Sequence, residues 1–291
     1  MLSRELVAAL KRHRIDVVGA ASPVGGGSIG RTCRVETSAG PIFLKLEPRG
    51  EAVRLEAEAF GLDALARSGA VTVPAVLARG IAGADAFLAL EWLELGTKSA
   101  EAERRLGTAL AAMHRTTSTR FGWPSDNYIG RTPQSNTWAS TWIEFFGERR
   151  LRPQLDLAAR RGIGGRVVER GETLLANLDA WLGDHSPVPS LVHGDLWGGN
   201  WGASPPGVPY LFDPAVHYAD REVDLAMTRL FGGFGEAFYR AYDETWPPAP
   251  GRDERIELYN LYHLLNHFNL FGSGYRSAVA ASVERLVSRL R

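Results

Sequence analysis

Leu2, Leu6 and Leu10, with Val7 beside them, recur at the spacing of one helical face, and Ser3 stands where an N-cap belongs. A glycine-rich stretch, Gly25-Gly26-Gly27-Ser28-Ile29-Gly30, leads into residues 31–37, which alternate loosely as a strand. Ser38-Ala39-Gly40-Pro41 turns the chain, and Ile42-Phe43-Leu44-Lys45-Leu46 reads as the returning strand. Residues 51–68 have helical spacing, with Leu55, Ala59, Leu62 and Leu65 as the buried stripe. Two strand-like runs follow, 73–78 and 86–92, and beyond them the pattern turns helical over 100–115, 137–155, 166–182, 225–246 and 255–270. The fold class expected is therefore α+β in two lobes. A small antiparallel-sheet lobe spans 1–93 and a larger helical lobe 94–291, jointed near 93–96. There is no internal repeat and no low-complexity segment.

Composition narrows the function classes. The chain has 291 residues, 45% hydrophobic and 23% charged, enough for two lobes with real cores. Acidic and basic residues balance at 33 each without like-charge blocks, which argues against a nucleic-acid or anionic-membrane surface. The single cysteine, Cys33, excludes an internal disulfide and a cysteine-rich metal site and suits a reducing cytoplasm. The N-terminus has no apolar core of signal-peptide type, and no stretch is long and apolar enough to span a bilayer. Only Lys11, Lys45 and Lys98 are lysine, the other 30 basic residues being arginine. A lysine inside an apolar strand of such a chain marks a place where arginine does not serve.

The glycines alone decide little. Gly25-x-Gly27-x-x-Gly30 fits a dinucleotide fingerprint and Gly26-x-Ser28-x-Gly30 a hydrolase nucleophile elbow, but both require a helix directly afterwards and a strand pattern follows instead. No lysine follows a glycine, which removes the Walker-type loop. What remains is a plain turn or a kinase-type loop whose side-chain-free backbone can lie against ATP phosphates at Gly25, Gly26, Gly27 and Ser28. Lys45 poses a second question, because the strand Ile42-Phe43-Leu44 should not bury a charge without a partner. Snorkelling at the strand end is the ordinary answer. The kinase answer is a lysine that binds α- and β-phosphates and pairs with a glutamate on the next helix. That helix offers Glu56 and Glu58, and the apolar residues behind Glu58 favour it.

The most specific pattern is Leu191-Val192-His193-Gly194-Asp195-Leu196-Trp197-Gly198-Gly199-Asn200, followed by Tyr210-Leu211-Phe212-Asp213-Pro214. Asp195 and Asn200 stand five apart, as do the base and a magnesium ligand of a kinase catalytic loop, and Asp213 ends a short apolar strand eighteen residues after Asp195. Phosphoryl transfer asks for oxygen ligands to magnesium and a group that orients the acceptor hydroxyl. An Asx-rich turn explains one such aspartate but not the ordered set behind Lys45. His193, with no nucleophile or metal partner in sequence, reads as a brace of the loop.

These segments resemble the aminoglycoside and choline kinase superfamily, and within it the fructosamine kinase (ketosamine 3-kinase) family. The eight residues from His193 to Asn200, Phe212-Asp213-Pro214-Ala215, Phe231-Gly232-Gly233-Phe234, Asn127-Tyr128-Ile129-Gly130 and Thr132-Pro133-Gln134-x-Asn136-Thr137-Trp138 carry the likeness across nearly the whole chain. The resemblance implies a protein-kinase-like fold and ATP with magnesium between the lobes. It implies Asp195 as base, Asn200 and Asp213 on the metal, and Leu90-Glu91-Trp92 as a hinge reading adenine. It also implies transfer of the γ-phosphate to the 3-hydroxyl of a small-molecule ketosamine, as a step of deglycation. Trp197 is a candidate sugar platform or a core tryptophan. Asn127, Gln134 and Asn136 border the acceptor pocket or brace the lobe, and Asp224 is expected to hold the catalytic loop's backbone. The glycine loop carries Ser28 where the family often has cysteine, and Cys33 lies five residues on, which puts thiol control of the loop in doubt. Two other readings stand beside this one. A kinase for another hydroxyl, such as an aminoglycoside, calls for an acidic pocket, whereas arginines and aromatics follow the hinge here. A nucleotide-binding pseudokinase module is disfavoured by the complete set of Lys45, Asp195, Asn200 and Asp213. Monomer and homodimer both remain open.

Overall fold

Residues 2–25 and 30–290 are described by a computed structural model. Ser3 accepts a hydrogen bond from the Leu6 amide (3.1 Å) and opens helix α1, Arg4–Arg12. Strands β1 (Val17–Pro23), β2 (Arg31–Thr37), β3 (Gly40–Pro48), β4 (Val76–Ala82) and β5 (Asp85–Glu91) form one antiparallel sheet in the order β1-β2-β3-β5-β4. Helix α2, Ala52–Arg67, connects β3 to β4.

The alternation of β3 explains its composition. Ile42, Leu44 and Leu46 pack with Leu6 and Leu10 of α1 on one face of the sheet. Phe43 lies on the other face, with Leu55, Ala59 and Leu62 of α2 and Leu88 and Leu90 of β5. A side-chain period of two puts Lys45 and Glu47 on Phe43's face, toward α2. The sheet is thus covered on both sides, and the two charged residues of β3 lie on the α2 side.

Four expectations need correction here. The sheet has a fifth strand: β1 is an edge strand whose residues are mostly exposed, so it lacks the half-buried alternation that betrays a strand. The strand expected over 73–78 instead runs over Val76–Ala82 as β4, and Thr72 just before it bridges to Tyr210 of the helical lobe. The helix expected over 137–155 begins only at Trp142, where Thr141 caps it, because Ala139 pairs with Phe121 in an isolated bridge. It then runs as α4 (Trp142–Phe146), a π-turn over Gly147–Leu151, and α5 (Arg152–Arg160). The helix expected over 225–246 is two, α8 (Glu222–Leu230) and α9 (Glu236–Thr245), parted where Gly232 and Gly233 take positive φ.

The rest of the helical lobe holds α3 (Ala100–His114), α6 (Gly165–Leu175), α7 (Asp179–Leu182), α10 (Arg252–Phe271) and α11 (Arg276–Ser288). Helix α10 buries Leu258, Leu261, Leu265 and Phe268 at helical spacing in the largest core, where α11 adds Val279, Val283 and Leu286. The residues 166–182, read as one helix, are interrupted between α6 and α7, and α11 was not expected at all. Among the described residues no helix is long and apolar enough to cross a membrane.

Candidate active site

A short hairpin of β6 (Asn127–Ile129) and β7 (Thr132–Gln134) borders the cleft through Asn127, and two further antiparallel pairings assemble the chemistry. Strand β8 (Ser190–Val192) pairs with β11 (His217–Ala219), and β9 (Trp201–Ser204) with β10 (Val208–Leu211). The first pairing fixes the loop entering at His193, the second the turn at Phe212 and Asp213. Each pairing is extended by one backbone bond, the Phe212 amide to the Asn200 carbonyl (3.1 Å) and the Ala215 amide to the His193 carbonyl (2.8 Å), and His193 Nε2 reaches from the first to the Phe212 carbonyl at the end of the second (3.1 Å). Residues eighteen apart in sequence thereby share one wall of a cleft.

Asp224, at the start of α8, holds the loop as expected. Its carboxylate accepts the amides of His193 (2.7 Å) and Gly194 (2.8 Å) and touches His114 Nε2 at 3.1 Å. Burial would raise this carboxyl, but the hydrogen bonds it accepts from His114 and the Gly194 amide outweigh it and keep it below the usual range. His193 is a brace too: Nε2–H donates to the Phe212 carbonyl (3.1 Å), while Nδ1 accepts the Asp195 amide (3.3 Å). Burial lowers its pKa and keeps the ring neutral, as this pairing requires.

Asp195 lies between these supports and the cleft. Burial and the charge of Asp213 push its carboxyl up to about 7, against a hydrogen bond from Asn200. Asn200 Nδ2 donates to the Asp195 backbone carbonyl (2.8 Å), which leaves its amide oxygen without a hydrogen bond among the described residues. Asp213 sits at φ 58, a left-handed conformation that aspartate tolerates better than most residues but still at a cost. Lys45 Nζ joins the lobes, 2.6 Å from Glu58 Oε1 and 2.5 Å from Asp213 Oδ1. Burial alone would lower its pKa, yet the two carboxylates more than reverse that and hold the ammonium charged. Glu58 is pushed up to about 7 by burial, with Lys45 opposing.

Lys45, Glu58, Asp195, Asn200 and Asp213 line one cavity of about 550 Å³ between sheet and helices, together with Gly25, Leu90, Glu91, Trp92, Asn127 and Trp197. Gly26, Gly27 and Ser28 lie outside the described residues. The Glu91 amide is spent on the Ala75 carbonyl (2.9 Å), so free backbone in this segment starts beyond it. An Oδ of Asp213 not held by Lys45 and the Asn200 amide oxygen form a hard oxygen pair, the donor chemistry magnesium takes alongside phosphate and water. The residues present fit that ion.

A model of the family described as "Fructosamine kinase" matches residues 4–289. A "Probable ketoamine kinase" of Synechocystis sp. is 44% identical over 254 residues, 87% of this chain and 85% of that protein. The chain belongs to the fructosamine kinase family. A solved "putative fructosamine-3-kinase" from Thermobifida fusca superposes with TM-score 0.87 at 36% identity, covering 99% of this chain and 100% of that one. An aminoglycoside phosphotransferase, APH(4)-Ia, shares the two-lobed kinase-like fold at TM-score 0.66 and 16% identity, over 99% of each chain.

The geometry changes three sequence-based assignments. Gln134 and Asn136 do not line the cleft. Both are buried: Gln134 Nε2 and Asn136 Nδ2 donate to Asn127 Oδ1 (2.7 and 2.9 Å), Tyr262 donates to Gln134 Oε1 (2.5 Å), and Arg150 donates to Asn136 Oδ1 (2.6 Å). Hydrogen bonds to every polar end make them braces rather than substrate contacts. Asn127 does reach the cleft wall, but its Nδ2 is held by the Val216 carbonyl (2.8 Å) and its Oδ1 by the two neighbours. Sequence reasoning missed Lys98, whose Nζ donates to the Gly198 carbonyl (2.5 Å) and sits 4.6 Å from the Trp201 ring centroid at the cleft floor. The rarity of lysine in this chain was the available signal. It also missed Arg54 and Glu47, which line the cleft beside Lys45.

Proposed function

We propose that this chain transfers the γ-phosphate of ATP to the 3-hydroxyl of a ketosamine. The observation that carries the reading is the convergence of Lys45, Asp195, Asn200 and Asp213 on one cleft in a chain of this family. Its relatives, a probable ketoamine kinase and a putative fructosamine-3-kinase, support the acceptor class. In this reading the backbone beyond Glu91 receives adenine, and Lys45, fixed by Glu58, meets the inner phosphates. Asp213 and Asn200 would hold magnesium, which supplies charge neutralisation across the phosphates. Asp195 accepts the proton of the attacking hydroxyl. A carboxyl pushed up to about 7 suits that work near neutral pH. His193 and Asp224 keep the loop from moving as the charge shifts. The phosphorylated ketosamine is a destabilised adduct that breaks down and frees the amine, which makes the step a deglycation.

The test is ATP consumption by the purified protein against ketosamines, aminoglycosides and choline. Turnover is expected with ketosamines. Asp195→Asn should lose at least about 10²-fold in turnover while binding ATP and magnesium as the parent does. Turnover with aminoglycosides and no ketosamine would overturn the acceptor assignment, and near-normal turnover in Asp195→Asn would overturn the base.

A further inference from the structure

We propose that Arg54 is a second phosphate-contacting cation of the cleft, acting beside Lys45 on the outer phosphates of the nucleotide. The inference rests on the ATP reading above. Its basis is a pair of crossed ion pairs between β3 and α2. From β3, Lys45 reaches Glu58 at 2.6 Å; two residues on, Glu47 reaches Arg54 at 2.7 Å. Arg54 and Glu58 are four apart on α2, so both pairs fall on one helix face and one strand face, about 6–7 Å apart. The polarity is reversed between them: the strand supplies the cation in the first and the helix supplies it in the second.

The second pair is costly as mere scaffolding. Arg54 is 9% exposed and Glu47 6%. Desolvating two charges offsets most of their attraction, and apolar residues of similar size hold a helix to a sheet as well. Both residues nevertheless line the cleft. They also lie where the chain returns from the glycine-rich stretch: a Cβ on Gly30 would come within 2.6 Å of Glu47 Oε1. The pair therefore stands under the strand end that a nucleotide's phosphates must approach if Lys45 binds them. A guanidinium has five donors in a planar fork, and phosphate is the anion that fork matches. Glu47 occupies Nη2, while Nε makes no hydrogen bond among the described residues and has only Glu51 near it, at 3.2 Å. Glu47 thus acts as the orienting partner, as Glu58 does for Lys45, in a guanidinium that belongs to the cleft lining.

Isothermal titration of ATP, ADP and AMP with magnesium, on the parent and four variants, tests this. The parent is expected to bind ATP more tightly than AMP. Arg54→Met should weaken ATP about tenfold and leave AMP unchanged, since a charge-assisted hydrogen bond to an outer phosphate is lost. Glu47→Gln/Arg54→Met removes the stranded buried carboxylate and should show the same selective loss, even where the single variant folds poorly. Glu47→Gln, which keeps the guanidinium, should preserve the preference for ATP. Equal weakening of ATP and AMP in the Arg54 and Glu47 variants would reduce the pair to scaffolding and overturn the inference. Loss of the preference in Lys45→Met but not in Arg54→Met would overturn it while leaving the nucleotide reading intact. A parent that does not distinguish ATP from AMP would remove both.

Discussion

Trp197 shows how one residue's surroundings decide its role. Its ring lies back on the catalytic loop, so close that a Cβ on Gly199 would be 2.2 Å from the indole. The six-membered end of the ring therefore lies against the loop, while the residue is still 38% exposed and lines the cleft. In the proposed reaction a ring held this way would offer a rigid platform to the C–H face of a sugar positioned by Asp195. Trp197→Ala is expected to raise the Michaelis constant for a ketosamine about tenfold and to leave that for ATP nearly unchanged, with Trp197→Phe recovering part. Steady-state kinetics with each substrate varied in turn decides it. A fall in kcat with both constants unchanged would make Trp197 a prop of the loop. At this scale the sequence was legible wherever the chemistry is written in a short window, as from His193 to Asn200. It was not legible for Gln134 and Asn136, because an amide that recognises a sugar and one that braces a hairpin are the same side chain.

Helices α3 and α9 carry the next level of the argument. They meet at Gly107, where an added Cβ would lie 2.3 Å from the Phe238 carbonyl oxygen and 3.0 Å from the Tyr242 amide. Both neighbours are backbone and cannot rotate aside. Their contact also supports the site: Tyr242 OH is 2.7 Å from His114 Nδ1, and His114 in turn touches Asp224 under the catalytic loop. Gly107→Ala should destabilise the fold by about 1–3 kcal/mol, read as a lower thermal midpoint in calorimetry. A midpoint within a degree of the parent would show that the helices separate freely. The break between α8 and α9 has a related cause. Gly233 approaches Gly198 so nearly that a Cβ on it would be 2.7 Å from the Gly198 Cα, and Trp201 Nε1 donates to the Gly233 carbonyl (3.1 Å). Helical periodicity across 225–246 hides this break, since what ends the helix is a loop about thirty residues earlier in the chain.

Across the whole molecule, buried ionisable groups set how stability responds to pH. His263 of α10 is 4% exposed, and burial together with the nearby His267 lowers its pKa to about 3. An unfolded histidine titrates near 6.5, so the unfolded state binds more protons between those values. The stability contribution of neutral His263 is complete above about pH 6.5 and is lost as pH falls below it, by about 1.4 kcal/mol per pH unit. Asp195 and Glu58, pushed up to about 7, act in the opposite sense and lose their contribution as pH rises through that range. Denaturant unfolding of the parent and of His263→Leu between pH 5 and 7.5 separates the two effects. The variant should show a stability–pH slope lower by about 1.4 kcal/mol per unit below pH 6.5. Identical slopes would mean that His263 is not buried neutral.

What the sequence alone determined is what short windows of chain encode. Strand alternation and helical spacing placed the β3 lysine before a helix bearing Glu58, and the order of Asp195, Asn200 and Asp213 named a phosphotransferase before any contact was known. Those signals are local, because periodicity and ligand chemistry need only neighbours in sequence. Tertiary structure decided which side chains meet. It turned Gln134 and Asn136 inward, put an exposed strand at the sheet's edge, split a helix at Gly232 and Gly233, and set Arg54 against Glu47 in the cleft wall. Each of these depends on which surface packs against which. That choice is made by the burial of whole faces, not by any one stretch of residues.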